Sequence, residues 1–245
     1  MNRLLFIILF LTSSYIMRAQ TFISENDTTA YVEYNDGKQW VYRNIDGLTV
    51  GMTNSEFKDD YGKYYQAGFF ISNNRDSTLI FNPEEVFADL LSNKGDTISL
   101  EVYTNEEFQE KIKKAQTLEM VLYGLSAGIN AASAGYSTTY TTSYSPYGYS
   151  YTSINRTYDA NAAYQANIMT NMQIQTLGEM MDNDRAVREQ GYLKLNTIHP
   201  SDAIVGYMNI KHKKGKKLFI TLNIGNNTFQ YLWDVEKKKK QRKKK

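Results

Sequence analysis

The chain has 245 residues, with 28 basic and 26 acidic side chains, 20 tyrosines, three prolines and no cysteine. That length supports one well-buried core or two small ones, and an apolar fraction of 42% with a charged fraction of 22% excludes wholesale disorder. The lack of cysteine excludes a disulfide framework, a thiolate metal site and a cysteine nucleophile, and His199 and His212 are the only histidines.

Residues 1–19 read as a secretory signal peptide. Arg3 supplies the positive start, Leu4 to Leu11 an apolar run too short to span a bilayer, and Ala19 a cleavage point before Gln20. The expectation is an exported protein, periplasmic, surface-associated or secreted, with no transmembrane span after cleavage. Residues 237–245 form a tail with eight positive charges. Without the tail, Arg3 and Arg18, the body holds 18 basic against 26 acidic residues, so the pI near 8.4 belongs to the tail. Like charges in a run repel and stay extended. Such a tail is expected to be disordered and suited to an anionic envelope surface. The acidic body and the lack of a base-stacking motif speak against nucleic acid.

From residue 28 to 104 the pattern is β. Ala30 to Tyr34 alternates, Asn35-Asp36-Gly37-Lys38 turns, and Gln39 to Tyr42 returns. Asp-Gly between aromatic, β-branched runs is a hairpin signal, because the tight turn needs positive φ. Further strands are expected at residues 48–53, 64–72, 78–81 and 98–103, with a short helical stretch at 84–91. Beyond residue 190, strands are expected at 192–197, 204–211, 217–224 and 228–235. Short strands with close turns point to a β-sandwich, here one domain in two segments, 20–104 and 191–236.

Residues 105–190 interrupt this pattern. Thr104 with Glu107 makes a capping box. Phe108, Ile112, Ala115, Leu118, Leu122, Leu125, Ile129 and Ala132 then recur at spacings of three and four, which predicts a helix of about 30 residues. Gly124, Gly128 and Ala132 form a second track of small residues, where another helix can approach closely. A return helix over residues 158–190 completes a helical hairpin. Its tip, residues 136–157, is a low-complexity loop in which Tyr, Ser and Thr fill 17 of 22 positions. Long uncharged loops rich in tyrosine resemble protein-binding surfaces in composition.

Residues suited to chemistry are sparse. His199-Pro200-Ser201-Asp202 places triad residue types side by side, but adjacent side chains point apart and a triad is defined by spatial roles. His212 lies among lysines and reads as solvated surface. Asp59-Asp60 and Asp182-Asn183-Asp184 read as surface charge, because the second lacks the glycine and closing glutamate of a calcium loop. No phosphate loop, dinucleotide fingerprint or nucleophile elbow occurs. Trp40, Trp233, Phe69 and Phe70 read as core.

The stretch Gly191 to Pro200, then Val205-Gly206-Tyr207 and the hairpin to Phe229 and Trp233, resembles the closing strands of a family of uncharacterised exported β-sandwich proteins of Gram-negative bacteria. Phe70 to Asn74 followed by Leu79 to Pro83 resembles the matching first half. The resemblance implies an immunoglobulin-like sandwich, often with a helical insertion, and carries no catalytic residue.

These readings converge on a mainly β protein, an immunoglobulin-like sandwich interrupted by a long helical hairpin, without enzymatic activity, metal or cofactor. The expected role is a binding or assembly module that contacts a protein partner or another copy of itself. Candidate contact residues are Leu118, Leu122, Gly124, Leu125, Gly128, Ile129, Tyr136, Tyr140, Tyr144, Tyr147, Tyr149 and Tyr151. A carbohydrate- or cell-wall-binding module using exposed aromatics is the alternative, and a hydrolase centred on His199 a remote one.

Overall fold

Alternating apolar residues set the architecture. In a strand every second side chain faces the same way, so Leu218, Ile220, Leu222 and Ile224 go to one face while Phe219 stays exposed. A computed structural model of the chain describes residues 18–23, 30–35, 37–144 and 150–236. It is mainly β, with open antiparallel sheets and two helices. The described residues fall into two units, divided at residues 111/112 and 187/188.

The first unit holds two larger sheets. In chain order its strands are β1 (Arg18–Ala19), β2 (Thr21–Phe22), β3 (Ala30–Asn35), β4 (Lys38–Ile45), β5 (Leu48–Asp59), β6 (Gly62–Asn73), β7 (Leu79–Phe81), β8 (Val86–Ser92) and β9 (Thr97–Leu100). In the second unit β10 (Tyr136–Tyr144) and β11 (Ser150–Tyr158) follow helix α1 (Asn105–Ala134) and precede helix α2 (Ala160–Gln190). The chain then returns to the first unit through β12 (Asn196–Ile198), β13 (Ala203–Lys211), β14 (Gly215–Ile224) and β15 (Asn227–Asp234).

The first large sheet has the order β13-β6-β5-β4-β3, with β1 also on β5, and the second the order β2-β15-β14-β8-β9. Both mix strands from before and after the helices: β13 pairs along β6 from Ala203↔Ser72 to Lys211↔Tyr64, and β14 pairs with β8. In the second sheet the register aligns Ala88, Ile220 and Tyr231 in one buried row and Leu90, Leu218 and Trp233 in the next. In the first, Val41, Met52 and Phe69 form a buried row. The buried Tyr231 hydroxyl donates to Val50 O at 2.8 Å, which ties one sheet to the other. Burying such rows is worth about 1.5–3 kcal/mol per large side chain.

Three local expectations are corrected. The helical stretch at residues 84–91 is a single 3-10 turn, Pro83–Glu85, started by the Asn82 side chain accepting from Glu84 N–H at 3.1 Å. The period of two in Val86, Ala88 and Leu90 then takes over as β8. The strand at 98–103 stops at Leu100, and Val102 makes an isolated bridge to Ile210. The strand at 192–197 is likewise reduced to a bridge, Tyr192 to Tyr207, before β12 pairs with β7.

In the second unit α1 and α2 run antiparallel. Gln116 Nε2 donates to Met181 O at 3.2 Å, the Tyr123 hydroxyl to Gln173 Oε1 at 3.0 Å, and Gly135 lies against Ala163. The tip, expected as a loop, is instead a β-hairpin with nine residue pairs from Tyr136↔Tyr158 to Tyr144↔Ser150. Gly135 permits the turn into it, because a Cβ there would lie 2.7 Å from the Tyr158 ring. Asp159 starts α2 by accepting from Asn161 N–H and Ala162 N–H at 2.9 and 3.2 Å.

Candidate interaction surfaces

The capping box at the start of α1 forms as its spacing predicts: Thr104 N–H donates to Glu107 Oε2 at 2.8 Å and Glu107 N–H to Thr104 Oγ1 at 3.3 Å. Just beyond it, Phe108 is fully buried, stacked on Tyr192 at 5.4 Å and edge-on to Tyr64 at 5.3 Å. The Lys111 ammonium lies 4.4 Å from the centre of the Tyr64 ring and 4.8 Å from that of Tyr103, and burial lowers its pKa. Arg188 reaches Asp59 at 2.5 Å, with the Asp59 side chain 1% exposed, so Asp59 is an internal ion pair rather than surface charge.

Farther along α1 the apolar stripe changes partner. The residues turned to α2 are Gln116, Met120, Tyr123 and Ala127, spaced four, three and four apart. Leu118, Leu122 and Leu125 lie about half a turn away at 100° per residue, and they are 62%, 60% and 62% exposed. Val121 on the same helix is exposed, and so are Tyr164, Met169 and Met172 on α2. Gly124 has open space where a Cβ would stand, so α2 does not lie against it. The described α1–α2 contacts run instead through Gln116, Met120, Tyr123 and Ala127. From Met120 to Gly178 the only charged residues are Arg156 and Asp159.

In the hairpin, Tyr136 packs on Tyr158 at 4.9 Å under the Arg156 guanidinium, and the opposed Tyr140 and Ile154 are both exposed. The other face is polar: the Ser137 and Thr157 hydroxyls are 2.6 Å apart. The backbones of Gly128, Ile129, Tyr144 and Tyr151 lie in α1, β10 and β11. Tyr147, Tyr149, residues 1–17 and the basic tail lie outside the described residues.

A second surface holds residues expected in the core. Tyr31, Tyr42, Gly51, Phe70 and Val205 align in register across all five strands of the first sheet's main path. Tyr31 and Val205 are exposed, and Tyr42 and Phe70 half-buried. Trp40 stacks on Tyr42 at 6.2 Å. Phe69 and Trp233 are core, but Trp40 and Phe70 belong to this outer face. Two glycines make room for it: a Cβ at Gly51 would lie 2.5 Å from the Tyr42 ring, and one at Gly68 would lie 2.8 Å from Thr53 and 3.6 Å from the Trp40 ring. The signal for this row was the glycines of β5 and β6, which inside strands mark a close approach. Gly51→Ala should lift Tyr42 off the sheet, redden Trp40 fluorescence and cost about 1–3 kcal/mol as overpacking. Unchanged emission would show that the ring is not seated there.

The histidines behave differently from one another. The exposed His199 has Nδ1 3.4 Å from Thr78 Oγ1, and Asp202 N–H donates to His199 O at 3.0 Å in a turn. His212, expected as solvated surface, is half-buried: its ring packs on Tyr65 at 4.7 Å with Nε2 3.7 Å from Glu56. Lys211 donates to Glu101 at 2.8 Å and holds that carboxyl below its ordinary range. Among the described residues no three His, Asp or Glu side chains are grouped to hold a metal, and no helix is long and apolar enough to cross a membrane. Comparison with known protein families, with characterised proteins and with solved structures finds no match to this chain.

Proposed function

We propose that this chain is an exported, non-enzymatic binding or assembly module that engages a protein partner, or another copy of itself, through the outer part of the helical pair and its β-hairpin. Its β-rich unit is read as an immunoglobulin-like sandwich that carries the helices as an insertion. The observation that supports the binding role is the stripe Leu118, Leu122 and Leu125, which α2 leaves exposed where α1 runs into a stretch without charge, from Met120 onward. Apolar surface of this kind marks an interaction site, since charge is what keeps an isolated helix soluble. Sedimentation and capture from envelope extracts, with the intact protein and with a Leu122→Glu, Leu125→Glu variant, test it. Loss of the complex by more than tenfold with an unchanged circular dichroism spectrum is expected. A monomer that captures nothing in either form would refute the reading.

The aromatic row on the first sheet favours a second reading, a carbohydrate-binding face in which Tyr31, Trp40 and Tyr42 stack on sugar rings. Under it, Tyr42→Ala should abolish retention on insoluble cell-wall polysaccharide while the double helix variant leaves retention intact.

A further inference from the structure

We infer that β10 is a self-pairing edge: two copies of this chain join β10 to β10, antiparallel about a two-fold axis through Tyr140, and extend two hairpins into one four-stranded sheet. This deepens the proposed function in its self-assembling form and rests on it.

Three observations carry the inference. The first is that, among the described strands, β10 and β11 form a sheet of their own, and β10 pairs only with β11, over nine residues in unbroken register. Residues 136–142 are all exposed. A two-stranded hairpin by itself is marginally stable in water, and a sheet of three or more strands is what gains stability.

The second is that β10 itself carries none of the usual edge-protecting features. Proteins blunt free strand edges with charges, prolines, bulges or shortness. Elsewhere in this molecule they are so treated: β2 and β9 are two and four residues long, β3 carries Glu33, and β13 is met by the bridges from Tyr192 and Val102. β11 carries Arg156. β10 has no charge, no proline and no bulge.

The third identifies the occupant. The sequence of β10, Tyr-Ser-Thr-Thr-Tyr-Thr-Thr-Ser-Tyr, reads the same in both directions about Tyr140. Antiparallel pairing of two copies therefore sets Tyr136 opposite Tyr144, Ser137 opposite Ser143, Thr138 opposite Thr142, Thr139 opposite Thr141, and Tyr140 opposite itself. Aromatic–aromatic and Thr–Thr cross-strand pairs are favourable. A two-fold axis of an antiparallel ladder can pass through either kind of residue pair, hydrogen-bonded or not. The register is selected as well. A slip of one residue turns the strand over, and a slip of two sets tyrosines against threonines, whereas the centred register uses all nine residues with three tyrosine pairs. No charge opposes the approach. A closed two-fold dimer follows, because the surface is complementary to itself.

The chain has no cysteine, so an introduced one is unique. Single Thr138→Cys, Thr142→Cys, Thr139→Cys, Thr141→Cys and Tyr140→Cys variants would be purified, checked by circular dichroism and oxidised under mild conditions. Tyr140→Cys is expected to form a disulfide dimer alone. Thr138→Cys and Thr142→Cys should cross-link when mixed at least tenfold more than either does alone. In one variant alone the two cysteines lie four residues apart along the ladder, about 13 Å, while a disulfide needs Cα atoms within about 7 Å. Thr139→Cys mixed with Thr141→Cys samples the other kind of ladder pair. Equal cross-linking of Thr138→Cys alone and in the mixture would overturn the register and the inference. No cross-link in any arm, with a native-mass dimer that Leu122→Glu, Leu125→Glu dissociates, would overturn the inference and leave the binding role standing. A monomer without partner would remove both.

Discussion

Phe108→Ala should lower the unfolding free energy of the β-rich unit by about 3–5 kcal/mol, while Leu122→Ala should change that of the helical unit by no more than about 0.5 kcal/mol at concentrations where the protein is monomeric. Both residues belong to the same stripe of three- and four-residue spacing, and only burial distinguishes them: Phe108 is 0% exposed and Leu122 60%. Truncating Phe108 removes a ring held between Tyr64 and Tyr192 and leaves a cavity that three packed aromatic residues cannot close, since Tyr103 lies against it as well. Each lost aromatic pair adds about 0.5–1.5 kcal/mol to the area term. Urea unfolding followed by near-ultraviolet dichroism for the first variant, and by the helical signal for the second, checks the pair. Similar losses for both would mean that Leu122 is covered in the free protein, and the docking surface would be lost with it.

That one stripe shows how far sequence reading reaches. Periodicity gave α1 its length and the capping box its start, because both depend on residues close in the chain. Which part of the stripe is covered depends on where α2 lies, and no local signal carries that. The hairpin at Gly37, with φ of +73°, and the alternation in β14 and β15 were legible for the same local reason. The second half of β5, from Asn54 to Asp59, was not. The strand expected at residues 48–53 runs on through this largely polar stretch, which continues pairing with β6 to Asp59↔Gly62, and Asn54 is buried donating to Gln20 Oε1 at 2.6 Å. The strand is set by its partner there, not by its own pattern. Gln20 follows β1, whose Arg18 and Ala19 pair with Glu56 and Ser55 although they belong to the expected signal peptide.

The candidate surfaces follow the same division. The uncharged stretch and its tyrosines were visible as composition, but composition alone made the tip a loop. Thr and Tyr are strand formers, and with Ser they alternate through β10 in a way that a strand, not a loop, can use. Trp40 and Phe70 have the pattern of core residues, because aromatic residues in strands usually are core. They are outside because Gly51 and Gly68 remove the side chains that would otherwise occupy the outer face, so the rings lie down on the sheet. The lysine neighbours of His212 in sequence suggest a solvated ring, whereas Tyr65, which packs on it, is 147 residues away.

Above about pH 10 the first unit should lose stability steeply and unfold before all its tyrosines have ionised. An ordinary tyrosine titrates near pH 10, but burial pushes the Tyr64, Tyr65, Tyr192 and Tyr231 hydroxyls well above that. The cause is geometric as well as dielectric. Each hydroxyl donates to a backbone carbonyl: Tyr64 to Tyr61 O, Tyr65 to Lys213 O, Tyr192 to Tyr103 O and Tyr231 to Val50 O, at 2.5–2.8 Å. Loss of the proton would leave a phenolate facing the oxygen that had accepted from it. Because the folded values lie above the unfolded one, the folded chain keeps protons that the unfolded chain has released. The stabilising effect is complete below about pH 10 and falls away as pH rises, by about 1.4 kcal/mol per pH unit for each group still protonated. Ultraviolet titration of tyrosinate should therefore show two phases, the second coinciding with loss of the β dichroism signal. Tyr231→Phe should cost about 1 kcal/mol at neutral pH through the lost hydrogen bond, and yet should make the alkaline loss shallower by one group. A single smooth titration with the β signal intact to high pH would mean that these hydroxyls are open to solvent and the core around Tyr231 and Tyr192 is not as described.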